Sequence, residues 1–216
     1  MIFHGYWRSS ATNRVRIALH LKGLAHTYQA VDLVAEGGGQ YSPAFLQLNP
    51  EGRVPAVEVG GGAVLTQSSA ILEWLEDTYP TPALLPADAF GRARVRSLAQ
   101  LLVADVQPLQ NLSVTNYLRE TLQLEPATIK AWLVHWISRG MAAFEAQLAR
   151  ESATGRFCHG DTPTLADVCL VPQCYACRRF GVDVAQYPTI ARIEAACLAL
   201  PAFQLAAPER QSDAPG

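Results

Sequence analysis

The sequence predicts an α/β domain followed by an all-helical domain. Three observations lead there. Strand-like and helix-like patterns alternate up to residue 79. The stretch Tyr79-Pro80-Thr81-Pro82-Ala83-Leu84-Leu85-Pro86 then places three prolines in eight residues, which reads as a linker. Beyond it nothing reads as strand. A chain of 216 residues suits two modest domains, and with 50% hydrophobic residues both have material for a core. The expected boundaries are 1–80 for the first domain, 81–87 for the linker and 88–216 for the second.

In the first domain, Ile2 to Tyr6 is short and apolar enough for a buried strand. After a hydroxyl-rich turn, Val15, Ile17, Ala18, Leu19 and Leu21 give a helix with a broad apolar face. Lys22 and Gly23 suit its C-terminus. Thr27 to Asp32 is a second strand, which completes a βαβ unit. Ala56-Val57-Glu58-Val59 and Ala63 to Thr66 flank Gly60-Gly61-Gly62 and read as a hairpin. Gln67-Ser68-Ser69 opens a helix carrying Ile71, Leu72, Trp74 and Leu75. This βαβ-then-ββα order is that of a thioredoxin-like domain. In the second domain, Pro126 and the helically spaced Ile129, Trp132, Leu133, Trp136, Ile137, Phe144 and Leu148 mark a long helix. Further helices are expected near 90–122, 165–180 and 189–198, with a polar, disordered tail from residue 208.

Composition excludes several classes. A net charge of −2 without a basic patch is not that of a nucleic-acid binder. No apolar run approaches the ~20 residues needed to span a bilayer, and Met1-Ile2-Phe3-His4 does not start a signal peptide. Five cysteines, all in the last third, make a poor disulfide framework and suggest reduced thiols in the cytoplasm.

The turn Ser9-Ser10-Ala11-Thr12 joins the first strand to the first helix and is the natural place for a thiolate. A helix N-terminus offers unpaired N–H groups and a partial positive charge. No cysteine lies there, so the thiol would come from a ligand. A free thiol of pKa about 8.5 is only ~3% ionised at neutral pH, and lowering that value by about 2 units takes roughly 2.7 kcal/mol. The helix end supplies about 0.3–1 kcal/mol, up to ~2 when partly buried, and a charge-assisted serine hydrogen bond about 1.5–3 kcal/mol. Taken alone, Ser9 reads equally well as a plain N-cap. Gln67-Ser68 opens another helix and could hold a carboxylate, although by itself a simple cap is the commoner meaning. Val54-Pro55 precedes a strand. Only about 5–6% of such bonds are cis, but a cis bond would turn the Val54 backbone outward, where an extended peptide could pair with it. Arg8 directly precedes the thiolate turn, and a guanidinium suits carboxylate binding.

These segments carry a resemblance. Tyr6-Trp7-Arg8-Ser9-Ser10-Ala11-Thr12-Asn13-Arg14-Val15-Arg16-Ile17-Ala18-Leu19 resembles the signature of zeta-class glutathione transferases, the maleylacetoacetate isomerase family. Leu48-Asn49-Pro50 with Val54-Pro55, Gln67-Ser68, the run from Gln107 to Val114, Gly160-Asp161 with Thr164-Leu165-Ala166-Asp167, and Arg179-Phe180-Gly181-Val182-Asp183 with Tyr187-Pro188 continue the match over nearly the whole chain. The resemblance implies the glutathione transferase architecture and glutathione as cofactor. It places Ser9 and Ser10 at the glutathione sulfur. It implies that Gln40, Val54, Pro55, Gln67 and Ser68 hold the tripeptide, with Gln110 reaching the same ligand. Arg8 and Arg179 would face a small anionic maleyl substrate, and the chain would form a homodimer. One position departs: Ala11 stands where the family usually has cysteine, which removes any protein thiol from the turn.

The implied activity is glutathione-dependent cis–trans isomerisation of maleylacetoacetate to fumarylacetoacetate in aromatic catabolism. The alternatives are maleylpyruvate isomerisation, transfer of glutathione to small α-haloacids, and a non-catalytic glutathione-fold binding protein. Other features read as structural. Cys174-Tyr175-Ala176-Cys177 lies mid-helix, away from the turn where a redox dithiol belongs. The histidines are scattered, so no metal site is expected. Thr164 with Asp167 has the form of a capping box. Arg92, Arg94 and Arg96 read as a solvated helix face.

Overall fold

The computed structural model describes residues 1–215, the side chain of Glu36 excepted. They form two compact units. The first joins Met1–Ala83 with the C-terminal segment from Leu200 onward; the second is Leu84–Ala199.

The first unit is built on a four-stranded sheet of order β2-β1-β3-β4. Strand β1 (Ile2–Gly5) pairs in parallel with β2 (Thr27–Ala30) and antiparallel with β3 (Ala56–Gly60), which pairs antiparallel with β4 (Ala63–Thr66). Helix α1 (Ser10–Leu21) crosses between β1 and β2 and buries Val15, Ile17, Ala18 and Leu19. A short α2 (Pro43–Leu48) leads toward β3, and α3 (Ser68–Thr78) packs beside α1. This is the thioredoxin-like arrangement that the order of elements predicts.

Lys22, at the C-cap of α1, is the internal lock. Its side chain is buried, and its ammonium donates to Glu76 on α3 (2.8 Å), to the Tyr79 carbonyl (2.6 Å) and to the Pro82 carbonyl (2.9 Å). A buried ammonium is tolerated only when its hydrogens are taken up in this way. Two X-Pro bonds are cis, Val54-Pro55 and Thr81-Pro82. Nothing in the sequence pattern singled out the second.

The C-terminal segment corrects two expectations. Residues from 200 onward belong with the first unit and not with the helical one. Helix α9 (Pro201–Leu205) lies against α1 with Phe203 and Ala206 buried, and Arg16 donates to the Ala206 carbonyl at 3.2 Å. Nor is the tail loose through residue 215. Pro208 is buried in a short 3-10 turn, Pro208–Arg210, and Asp213 is hydrogen-bonded into the unit. Gly216, the last residue of the expected tail, lies outside the described residues.

In the second unit, the stretch expected as one helix over 90–122 is interrupted. Helix α4 (Ala89–Gln100) runs into a π-helical turn, Leu101–Val106, then a 3-10 turn, Gln107–Gln110. Pro108 offers no N–H, so the ladder changes there. After a short α5 (Leu112–Asn116) and a second π-turn, Tyr117–Thr121, comes α6 (Pro126–Arg150). Gly140 lets α6 approach the first π-turn, since a Cβ there would fall 2.1 Å from a Val106 methyl. Helix α7 (Leu165–Phe180) is buried along most of its length, and α8 (Pro188–Leu198) packs against it.

Asp167 fixes the start of α7. It is fully buried and accepts from the backbone N–H groups of Thr164 and Cys158 and from the Thr164 hydroxyl, each at 2.8 Å. Arg94 departs from the solvated face expected of it. It bonds Glu151, the Cys158 carbonyl and Thr154, and so ties α4 to the loop before α7. All five cysteines are buried and free, and burial pushes the Cys177 thiol up to about 12. Among the described residues no helix is long and apolar enough to cross a membrane.

Replacing Asp167 with Ala leaves two buried backbone N–H groups without acceptors. Urea unfolding is expected to show a loss on the order of 3 kcal/mol, from about 1–3 kcal/mol per orphaned donor.

Candidate active site

The sheet register gathers the site. Ala56 at the start of β3 lies opposite His4, near the end of β1, and opposite Thr66, the end of β4. The three segments leaving this edge are therefore Tyr6–Ser10, Val54-Pro55 and Gln67-Ser68. They are far apart in sequence and share one edge because the strands that carry them pair.

At the first segment, Ser9 is the N-cap of α1 and its Oγ accepts the Thr12 N–H at 3.2 Å. The lone pair is thereby engaged and the hydroxyl hydrogen is left to donate elsewhere. Ser10 is the first helical residue. Among the described residues the N–H groups of Ser10 and Ala11 take no acceptor, as the first turn of a helix dictates. The Ser9 N–H bonds the Tyr6 carbonyl (3.1 Å) and the Tyr6 N–H bonds the Thr12 hydroxyl (3.3 Å), which closes the turn. Arg8 is half-buried with its guanidinium 5.2 Å from the Trp7 ring centre. Its buried Nε has no hydrogen-bond partner among the described residues.

At the second segment, Val54 and Pro55 are buried and joined by a cis bond, and Val54 forms no backbone hydrogen bond among the described residues. Asn49 shapes the approach: its amide donates to the Arg53 carbonyl at 2.6 Å and its oxygen accepts the Glu51 N–H at 3.1 Å. Gly52, at φ +60°, lets Tyr41 close over this loop, because a Cβ there would lie 2.8 Å from the ring. The neighbouring Gln40 is only 4% exposed, and its Oε1 is buried with no donor among the described residues. A buried acceptor left bare costs about 1–3 kcal/mol. That observation fits a ligand that brings its own N–H.

At the third, Gln67 caps α3 with φ 63° and ψ 113°, a conformation an L-residue adopts at a cost of order 1–3 kcal/mol. Its amide donates to Glu51 at 2.5 Å. Ser68 is buried, and its Oγ accepts from Arg14 Nη1 at 3.2 Å. Arg14 is itself 1% exposed within α1, so a buried cation stands behind the serine. Sequence reasoning passed over both Arg14 and Glu51. The signal for Arg14 was present: a charged residue inside the apolar run of α1.

Two sequence-derived residues lie in the helical unit. Gln110 is buried and exchanges two amide hydrogen bonds with Gln173, at 2.8 and 3.2 Å. Much of its polar capacity is spent inside that unit. Arg179 is exposed, stacks on Phe180 (4.9 Å) and lines an open groove of about 450 Å³ with Arg119, Lys130, Arg178 and the apolar Ile129 and Leu133. The charged residues of that lining are all basic. Arg178 is already engaged, donating twice to Glu194 at 2.7 and 2.5 Å. Among the described residues no group of three or more His, Cys, Asp or Glu could hold a metal.

Residues 8–78 match the family model for the glutathione S-transferase N-terminal domain. The chain is 46% identical to the maleylacetoacetate isomerase of Pseudomonas aeruginosa over 100% of its own length and 99% of the relative's. It superposes on the holo structure of maleylpyruvate isomerase, described as a bacterial glutathione transferase of the zeta class, with a TM-score of 0.96, 50% identity and full coverage of both chains. It superposes equally, at 43% identity and full coverage of both, on the maleylacetoacetate isomerase of Methylobacterium extorquens, a structure with bound malonate and glutathione. Likeness of this extent, end to end, places the chain among the zeta-class glutathione transferases, the family of the maleylacetoacetate and maleylpyruvate isomerases.

Proposed function

We propose that the chain is a glutathione-dependent cis–trans isomerase of a maleyl keto acid, with maleylacetoacetate the first candidate and maleylpyruvate the second. The observation that carries this is the start of α1, where a serine hydroxyl free to donate adjoins two N–H groups without acceptors among the described residues. Bound glutathione supplies a sulfur nucleophile for reversible addition across the maleyl double bond, so it is returned and not consumed. Every other role falls to the chain. The Ser9 O–H, with its oxygen held by the Thr12 N–H, donates to the sulfur and favours its anion. The Ser10 and Ala11 N–H groups add the field of the helix end. Together these are of the size needed to lower a thiol pKa by about 2 units.

The tripeptide fits the rest of the edge. Val54 offers an unpaired backbone to an extended peptide, Gln40 offers a bare acceptor, and Ser68 with the α3 N-terminus offers donors to a carboxylate, with Arg14 behind. Arg8 and, in the helical unit, Arg179 are assigned to the substrate's carboxylate and to the negative charge that develops on its keto group once the double bond is attacked. The free, buried cysteines support a cytoplasmic setting, and the family resemblance supports a homodimer, which light scattering would test.

Isomerisation of maleylacetoacetate and maleylpyruvate, followed in the ultraviolet, is expected to require glutathione and to leave the thiol titre unchanged. Net loss of thiol with an α-haloacid, and no isomerisation, would favour the conjugating alternative. Ser9→Ala is expected to lower kcat roughly 10–100-fold, the value of a charge-assisted hydrogen bond, and to move the rise of the pH–rate curve upward because the unassisted thiol ionises later. Ser10→Ala should cost much less, since its contribution is a backbone N–H. Arg8→Met and Arg179→Met are each expected to raise KM for the keto acid, and unchanged kinetics would remove that residue from the carboxylate site.

A further inference from the structure

The turn that carries Ser9 is held from outside by the far end of the chain. The backbone of Trp7, two residues before Ser9, is held at both its N–H and its carbonyl. Its N–H donates to Asp213 Oδ2 at 2.8 Å, and its carbonyl accepts from Arg16 Nη1 at 3.5 Å. The same Asp213 oxygen accepts from the Tyr28 hydroxyl at 3.1 Å. Arg16 is 1% exposed, stands 5.4 Å from the Tyr28 ring centre, and also donates to the Ala206 carbonyl of the C-terminal segment. Burial above all pushes the Tyr28 hydroxyl above its ordinary range, so it stays a donor across working pH. The second Asp213 oxygen, Oδ1, and two Arg16 nitrogens are buried with no hydrogen-bond partner among the described residues. These opposite charges support each other across a desolvated space.

We propose that Asp213 is a positioning residue for the thiolate turn: by fixing the Trp7 peptide against Tyr28 and Arg16, it sets the direction of the Ser9 hydroxyl and of Arg8. The proposal rests on the function proposed above. Among the described residues no hydrogen bond or ion pair joins Asp213 to Ser9 or Arg8, so it acts through the Trp7 backbone. A hydrogen bond to a forming thiolate is worth its full value only when well aligned, and a shift of about 1 Å in a catalytic group costs on the order of 100-fold. A tail that served only as an anchor would contribute to stability and leave the sulfur's ionisation alone.

The test compares Asp213→Ala, Asp213→Asn and Tyr28→Phe with the unsubstituted enzyme. Four quantities are read: thermal midpoint, amide exchange at Trp7, the pH titration of enzyme-bound glutathione by thiolate absorbance, and kcat/KM near neutrality. In Asp213→Ala the Trp7 amide is expected to exchange faster, the thiol midpoint to rise by about one pH unit, and kcat/KM near neutrality to fall about tenfold. Asp213→Asn keeps an acceptor for the Trp7 N–H and should recover most of that loss. Tyr28→Phe, which keeps the ring and removes one bond to the carboxylate, should give a smaller shift in the same direction. Faster exchange at Trp7 with an unmoved thiol midpoint would overturn the proposal and leave the isomerase reading intact, as would an unmoved midpoint in Tyr28→Phe should the alanine variant not fold. An unsubstituted enzyme that binds glutathione without lowering its thiol pKa would overturn both.

Discussion

The site depends on the antiparallel pairing of β3 with β1 and β4. Because Ala56 lies opposite both His4 and Thr66, the chain leaves the sheet three times along one edge. Two of those exits turn directly into helices, α1 and α3, which bring unpaired N–H groups to the edge. The third is an extended backbone before a cis proline. Under the proposed function, a tripeptide with a sulfur, a carboxylate and peptide groups would find a counterpart at each exit. A slip of one residue in this register would turn the inward side chains outward and separate the three.

Charge buried inside the first unit ties its boundaries together. Arg14, Arg16 and Lys22 lie in or at the end of one apolar helix and are all nearly inaccessible. Each reaches a different boundary: Arg14 the start of α3, Arg16 the Trp7 turn and the C-terminal segment, Lys22 the end of α3 and the chain leading out of the unit. Burying such groups is costly, and apolar residues would pack α1 against its neighbours as well or better. What the cations add is direction. Each fixes a backbone carbonyl or hydroxyl at a definite place, where apolar contact would tolerate sliding.

Much of this was legible in the sequence because it is local. The cap at Ser9, the stop at Gly23, the hairpin around Gly60-Gly61-Gly62 and the Thr164–Asp167 pair each rest on residues within a few positions of one another. The resemblance carried Gln40 and Arg179, which no local pattern would have selected. What was missed is long-range. Asp213 meets Trp7 across 206 positions, and nothing in a polar Ser-Asp-Ala-Pro tail reveals a docking partner so distant. The assignment of residues from 200 onward to the helical domain differs from the structure for the same reason, since a short helix carries no mark of which core it joins. Arg94 looks like Arg92 and Arg96 in the sequence, and only the fold shows the loop it meets. The π-turns on either side of Pro108 lie in an unbroken helical pattern, and only the proline hints at the change.

Ala11 changes how such a catalyst would age. Its working sulfur would arrive with an exchangeable small molecule, while the protein's own five thiols are buried, and burial pushes the ionisation of Cys158, Cys174, Cys177 and Cys197 above its ordinary range. An oxidant meeting the working sulfur would therefore damage a part that diffuses away and is replaced from solution. The polypeptide would outlast many such events without repair.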